Sequence, residues 1–145
     1  MRNRAIFAYA ALAASLLAAP TCRAADAAAA SVRPKVIFQV SDNDPAKWNL
    51  ALNNAKNIQH DLGKDNVDIE LVAYGPGLNM LKLESAVSGR VADATGQGVK
   101  IMACENTMTN TRTTRADMLP NIGYVKAGVV ELMEKQQQGW AYIRP

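Results

Sequence analysis

Val99-Lys100-Ile101-Met102-Ala103-Cys104-Glu105-Asn106-Thr107-Met108 reads as a short buried strand that ends on a cysteine and gives way to the polar start of a helix or loop. Working outward, Val67 to Tyr74 is a second strand. Its last residues, Leu71-Val72-Ala73-Tyr74, are apolar at both parities. A strand apolar on both faces belongs to a parallel sheet covered on both sides. Gly75-Pro76-Gly77 follows as a turn. Lys35 to Ser41 is an earlier strand, rich in β-branched and aromatic residues.

Helical patterns lie between and beyond these strands. Asp44 is placed to cap a helix whose first residue is Pro45. Trp48, Ala51, Leu52, Ala55, Ile58 and Leu62 recur at helical spacing, and Gly63 ends the run. Leu78 to Leu83 reads as a short helix. Ser85 to Gln97 reads as another, with Gly96 and Gly98 as stops. After Cys104 the segment Glu105 to Arg115 carries five threonines, at 107, 109, 111, 113 and 114. Threonine is a mediocre helix former, so a helix start that degrades into loop is expected. Ile122 to Val125 is a short strand. Ala127 to Gln138 is a helix with Val129, Val130 and Met133 expected inward, and Trp140 to Ile143 is the last strand. Strands alternating with helices predict an α/β fold: a parallel sheet with helices on both faces.

The first 24 residues read as a secretory signal peptide. Met1 to Arg4 is positive, Ala5 to Ala19 carries no charge, and Cys22-Arg23-Ala24 supplies small residues at a cleavage site. The apolar run is shorter than the ~20 residues an anchor needs, so a periplasmic protein with no membrane anchor is expected. Residues 25–34 read as a flexible leader and 35–145 as one domain. Arg2, Arg4 and Arg23 leave with the signal, and the precursor's 16 basic and 13 acidic residues then balance. The basic character of the precursor therefore points to no nucleic-acid partner.

Removal of the signal also removes Cys22 and leaves Cys104 as the lone thiol of the mature chain. In an oxidising compartment such a thiol is buried, paired with another chain, or reactive. Ligands of parallel sheets bind beyond the carboxyl ends of the strands. The loops Ser41 to Asp44, Gly75 to Gly77 and Cys104 to Thr107 would share that edge. Asp42, Gly75, Gly77, Asn106 and Thr107 are thus candidate substrate- or partner-binding residues around Cys104. Arg112 and Arg115 offer charge for an anion or a partner's carboxylates; an ordinary solvated loop is the plainer reading. A helix N-terminus after Cys104 would favour thiolate, and Glu105 would oppose it. A buried cysteine packed as a small apolar residue is the alternative. Asp42-Asn43-Asp44 is not a calcium loop, because Lys47 and Asn53 stand where glycine and glutamate are required. No metal set and no cofactor motif is found, and His60, off the apolar stripe, reads as a surface residue.

Four stretches are similar to one known family. They are Val72-Ala73-Tyr74-Gly75-Pro76-Gly77-Leu78, Gly98 to Met108, and Val125 to Leu132 with Gln136 to Pro145. Together they resemble the DsrE/DsrF-like family of small sulfur-relay proteins. The resemblance implies a three-layer α/β/α sandwich with a mostly parallel sheet of about five strands. It implies assembly into dimers, trimers or hexamers, and a persulfide carried on the cysteine matching Cys104. It implies sulfur exchange with a donor or acceptor protein and no cofactor. An exported member would work in periplasmic sulfur-compound metabolism. The alternative on the same fold is a non-catalytic oligomeric binding or scaffold protein, with apolar contacts around Met80, Leu83 or Trp140.

Overall fold

The computed structural model describes residues 33–145. The expected signal peptide and nearly all of the leader lie outside the described residues. Strand β1 (Lys35–Val40) leads through the capped turn at Asp44 into helix α1 (Pro45–Leu62). Asp44 Oδ1 accepts the Ala46 N–H at 2.8 Å, and Gly63 closes the helix at φ 85°. Strand β2 (Asp68–Ala73) runs into a 3₁₀ segment, Gly75–Leu81, and then helix α2 (Ser88–Gly96). Strand β3 (Lys100–Cys104) passes directly into the short helix α3 (Glu105–Asn110). A 3₁₀ turn (Arg115–Asp117), strand β4 (Gly123–Val125), helix α4 (Gly128–Gln137) and strand β5 (Ala141–Ile143) complete the domain.

The five strands form one sheet in the order β4-β3-β2-β1-β5, and every pairing is parallel. Alternate side chains feed two separate cores, as the period of a strand requires. Phe38, Val40, Leu71, Ala73, Ile101 and Ala103 pack beneath α1, α2 and the first 3₁₀ segment. Ile37 and Val72 pack beneath α4 with Leu132 and Trp140. Burying a side chain such as Phe38 or Leu71 contributes about 1.5–3 kcal/mol, so the larger core carries most of the stability. The three-layer expectation holds, with α4 alone forming the third layer.

Two expectations fail here. Val129, Val130 and Met133 are exposed, not inward. The rotation of α4 is set by other groups. Gly128 lies so close to Tyr74 and Val72 that a Cβ would meet them at 3.0 and 3.1 Å. Near the far end, Lys135 Nζ reaches Glu70 Oε2 at 2.8 Å and lies 4.4 Å from the Trp140 ring centroid. The buried stripe is therefore Gly128 and Leu132 with half-buried Lys135; Val129 lies about 90° around the helix from it and Val130 on nearly the opposite face. Met80 and Trp140 are buried within the protomer and offer no contact surface, whereas Leu83 is exposed. In α1 the apolar stripe is buried as far as Ala55, half-buried at Ile58 and exposed at Leu62.

Candidate functional site around Cys104

The carboxyl ends of β1, β2 and β3 meet as expected, and specific contacts join them. Gly77 donates its N–H to Ser41 O at 3.1 Å. A Cβ on Gly77 would lie 2.3 Å from Val40 O, so only glycine allows the turn after β2 to press on the end of β1. Gly75, at φ 53°, donates its N–H to Thr107 Oγ1 at 2.9 Å. This bond ties the glycine turn to the first turn of α3. The β4–α4 connection closes the other side: Asn106 N–H donates to Lys126 O at 3.1 Å.

Cys104 sits in the middle of these contacts. It is the last residue of β3, opposite Val125 of β4, and the residue that precedes α3. Its side chain is buried, with the residue 4% exposed. Gly128 N–H donates to Cys104 Sγ at 3.3 Å, and Lys126 O lies 4.0 Å from the sulfur. Burial pushes the thiol pKa up, but the Thr107 hydroxyl, the Gly128 N–H and the Thr107 and Asn106 N–H groups outweigh it. The net result is a thiol below its ordinary value. The Asn106 N–H is shared with Lys126 O. The sulfur is therefore both shielded from water and surrounded by donors suited to an anion.

Glu105 does not oppose this as its sequence position suggests. Arg115 Nη2 pairs with Glu105 Oε1 at 2.8 Å, and the guanidinium stacks 4.2 Å from the Tyr124 ring centroid. A polar depression of ≈ 380 Å³ lies along α3, lined by Glu105, Asn106, Thr109, Thr114, Arg115 and Lys126 among others; Cys104 itself does not line it. Arg112 is exposed at φ 54°, where the helical stretch has ended, and does not line it. Asp42 belongs to a different cluster. Lys47 at 3.0 Å and Arg144 at 3.4 Å hold it, Lys47 keeps its carboxyl below the usual range, and its backbone oxygen accepts Trp48 Nε1 at 2.7 Å. Gly75 and Gly77 shape the site through their backbones; Asn106 and Thr107 contact or flank the sulfur. His60 is exposed and pairs with Asp61. Among the described residues no group of three metal-ligating side chains converges, and no helix is long and apolar enough to cross a membrane.

A model of the DsrE/DsrF-like family matches residues 34–145. The chain belongs to the DsrE/DsrF-like family. The solved structure of MTH1491, a protein of unknown function from Methanobacterium thermoautotrophicum, is similar to it at 38% identity. That match has a TM-score of 0.73 and covers 77% of this chain and 99% of the other. BT1422 from Bacteroides thetaiotaomicron, also of unknown function, shares the fold at 15% identity and TM-score 0.65, covering 81% and 99%. The ychN protein of E. coli does so at 12% identity and TM-score 0.63, covering 78% and 99%. A search of the curated proteins finds no match.

Two residues at the thiol of this family member, Lys126 and Gly128, were not among the sequence candidates. The signal for them was present. Ile122 to Val125 is legible as a strand, and its carboxyl end leads straight to Lys126–Gly128. Applying the carboxyl-edge rule to four strands instead of three brings this connection to Cys104.

Proposed function

We propose that this DsrE/DsrF-like protein is a periplasmic sulfur carrier that holds sulfane sulfur as a persulfide on Cys104. The observation that carries this reading is the donor cage: a buried thiol whose pKa is lowered by the Thr107 hydroxyl and the amides of Gly128, Thr107 and Asn106. Membership of a family that includes sulfur-relay proteins is consistent with it. In the loading step the Cys104 thiolate attacks the sulfane sulfur of a donor. A new S–S bond forms, the donor's own bond to that sulfur breaks, and the donor leaves with the electron pair. In the unloading step an acceptor thiolate attacks the outer sulfur, and Cys104 departs as thiolate. The donor cage stabilises the thiolate in both directions, so neither step requires a metal or organic cofactor. Asn106, Lys126 and Arg115 line the depression along α3, where an anionic donor or a partner carboxylate would be held; Arg112 lies outside it and would serve the same role.

The proposed carrier acts as a homo-oligomer. Val129, Val130 and Met133 of α4 and Tyr142 of β5 are exposed on the side of the sheet that only α4 covers. Apolar side chains grouped on a surface mark association sites. Incubation with polysulfide or a persulfide donor is expected to add about 32 Da per transferred sulfur, and Cys104→Ser is expected to abolish the gain. Loading that survives the substitution refutes the reading.

The 4% exposure of Cys104 favours a second reading, a scaffold in which the thiol only packs. Native-state alkylation separates the two. A carrier labels without denaturation, with a pH midpoint below the reference value of ~8.5. A scaffold labels only once unfolded.

A further inference from the structure

At the opposite end of the sheet from Cys104, a groove of ≈ 540 Å³ separates α1 from α2. Val99, which lines it, precedes β3, whereas Cys104 ends that strand, about 16 Å further along at the rise of an extended chain. The volume lies within the usual range of small-molecule sites. Its origin is in the sequence. Leu52, Ala55, Lys56 and Gln59 form one face of α1, at spacings of three and four. Arg90, Asp93, Ala94 and Gln97 form the facing stripe of α2. Each helix presents an alanine to the groove, Ala55 and Ala94, and neither fills the space. Gln59 Nε2 donates to Gln97 O at 2.9 Å and holds the two walls together.

The floor is apolar and the rim is positive. Leu52, Ala55 and Val99 are buried beneath the groove. Arg90 is half-buried and fixed: Nη1 donates to Asn49 Oδ1 and Nη2 donates to Asn53 Oδ1 at 2.6 Å. Both acceptors are neutral amide oxygens, so the guanidinium is positioned without a counter-ion. Lys56 and Lys64 stand exposed on the same rim, and neither forms an ion pair among the described residues. Asp93 is the one acidic residue of the lining. A held cation, two free lysines and an apolar floor together select a ligand with both characters.

We infer that the α1–α2 groove binds an amphipathic anion: a carboxylate or sulfonate facing Arg90, Lys56 and Lys64, on an apolar body lying over Leu52, Ala55 and Val99. The site is independent of the chemistry at Cys104. A small inorganic anion would leave the floor unused, and an uncharged apolar molecule would leave the rim unused.

The test is a nitrogen-15 heteronuclear NMR titration of the purified protein with decanoate, decanol and acetate. Decanoate is expected to shift amides of Leu52–His60 and Arg90–Gln97 saturably, with a dissociation constant in the millimolar range or tighter. Acetate and decanol are expected to bind about tenfold more weakly or less. The double variant Lys56→Glu, Lys64→Glu changes only exposed side chains. It is expected to weaken decanoate about tenfold and to leave sulfur loading of Cys104 unchanged. Ala94→Leu, which fills the groove, is expected to abolish the shifts. Four results overturn the inference: no saturable shift at these amides, shifts centred on the exposed face of α4 instead, decanol or acetate binding as tightly as decanoate, or unaltered binding in the charge-reversed variant. The wild-type comparison of decanoate with decanol and acetate decides the matter even if a variant fails to fold.

Discussion

Thr107→Val isolates the hydroxyl that links two parts of the site. The side chains are nearly the same shape, so the loss is of Oγ1 alone. Oγ1 accepts the Gly75 N–H at 2.9 Å and lowers the Cys104 pKa. Leaving a partly buried amide without its acceptor costs about 1–2 kcal/mol. For a domain of this size that is a fall in Tm of about 4–8 °C. The effect on the thiol runs separately. A hydrogen bond to a charged sulfur stabilises it by roughly 1.5 kcal/mol, which is about tenfold in thiolate fraction at pH values below the midpoint. A thiolate of higher pKa is intrinsically more nucleophilic, and this returns about threefold. The net expectation is native-state alkylation about threefold slower at neutral pH, and faster than wild type once both thiols are ionised. The two pH profiles therefore cross. Thr107→Ser keeps the hydroxyl and is expected to restore the wild-type profile. Superimposable profiles for wild type and Thr107→Val would refute the role given to Thr107, whatever the change in Tm.

Three further outcomes follow from the same geometry. Gly77→Ala sets a Cβ 2.3 Å from Val40 O and is expected to destabilise the domain by ~3 kcal/mol or more; Gly123→Ala meets only the mobile end of Met102 and is expected to cost less than ~1 kcal/mol, both read from urea unfolding. Burial raises the Glu70 carboxyl, and Lys135, which lowers it, bonds only one oxygen and leaves Oε1 without a partner, so burial prevails. A raised carboxyl favours the fold fully below its unfolded value of ~4.3 and loses that contribution as pH rises through the folded value. Wild-type stability relative to Glu70→Gln is thus expected to fall between acid and neutral pH in urea titrations. Val130→Glu with Met133→Glu is expected to dissociate the proposed oligomer by light scattering, and an unchanged mass would remove α4 from the proposed interface.

The parallel sheet was legible in the sequence because burial on both faces leaves a direct mark, as in Leu71 to Tyr74. The edge holding Cys104 was legible for the same reason, since strand ends follow from strand assignments. The rotation of α4 was not. It depends on Gly128 fitting under Tyr74 and on Lys135 reaching Glu70, a pair separated by 65 residues. Local periodicity instead favoured the adjacent valines. Sequence placed Glu105 beside the thiol as an opposing charge, and its neutralisation by Arg115 ten residues later follows only from the turn after α3. Asp42 was assigned to the correct edge, yet Lys47 and Arg144 draw it into a separate ion cluster.

The proposed sulfur carriage by Cys104 is read most directly from the peptide-level mass of Cys104 in protein isolated from its native cells and alkylated immediately. A fraction of Cys104 is expected to bear one additional sulfur, about 32 Da, that is lost on reduction. Cys104 recovered wholly as the simple thiol while cellular sulfane sulfur is abundant would contradict the proposal.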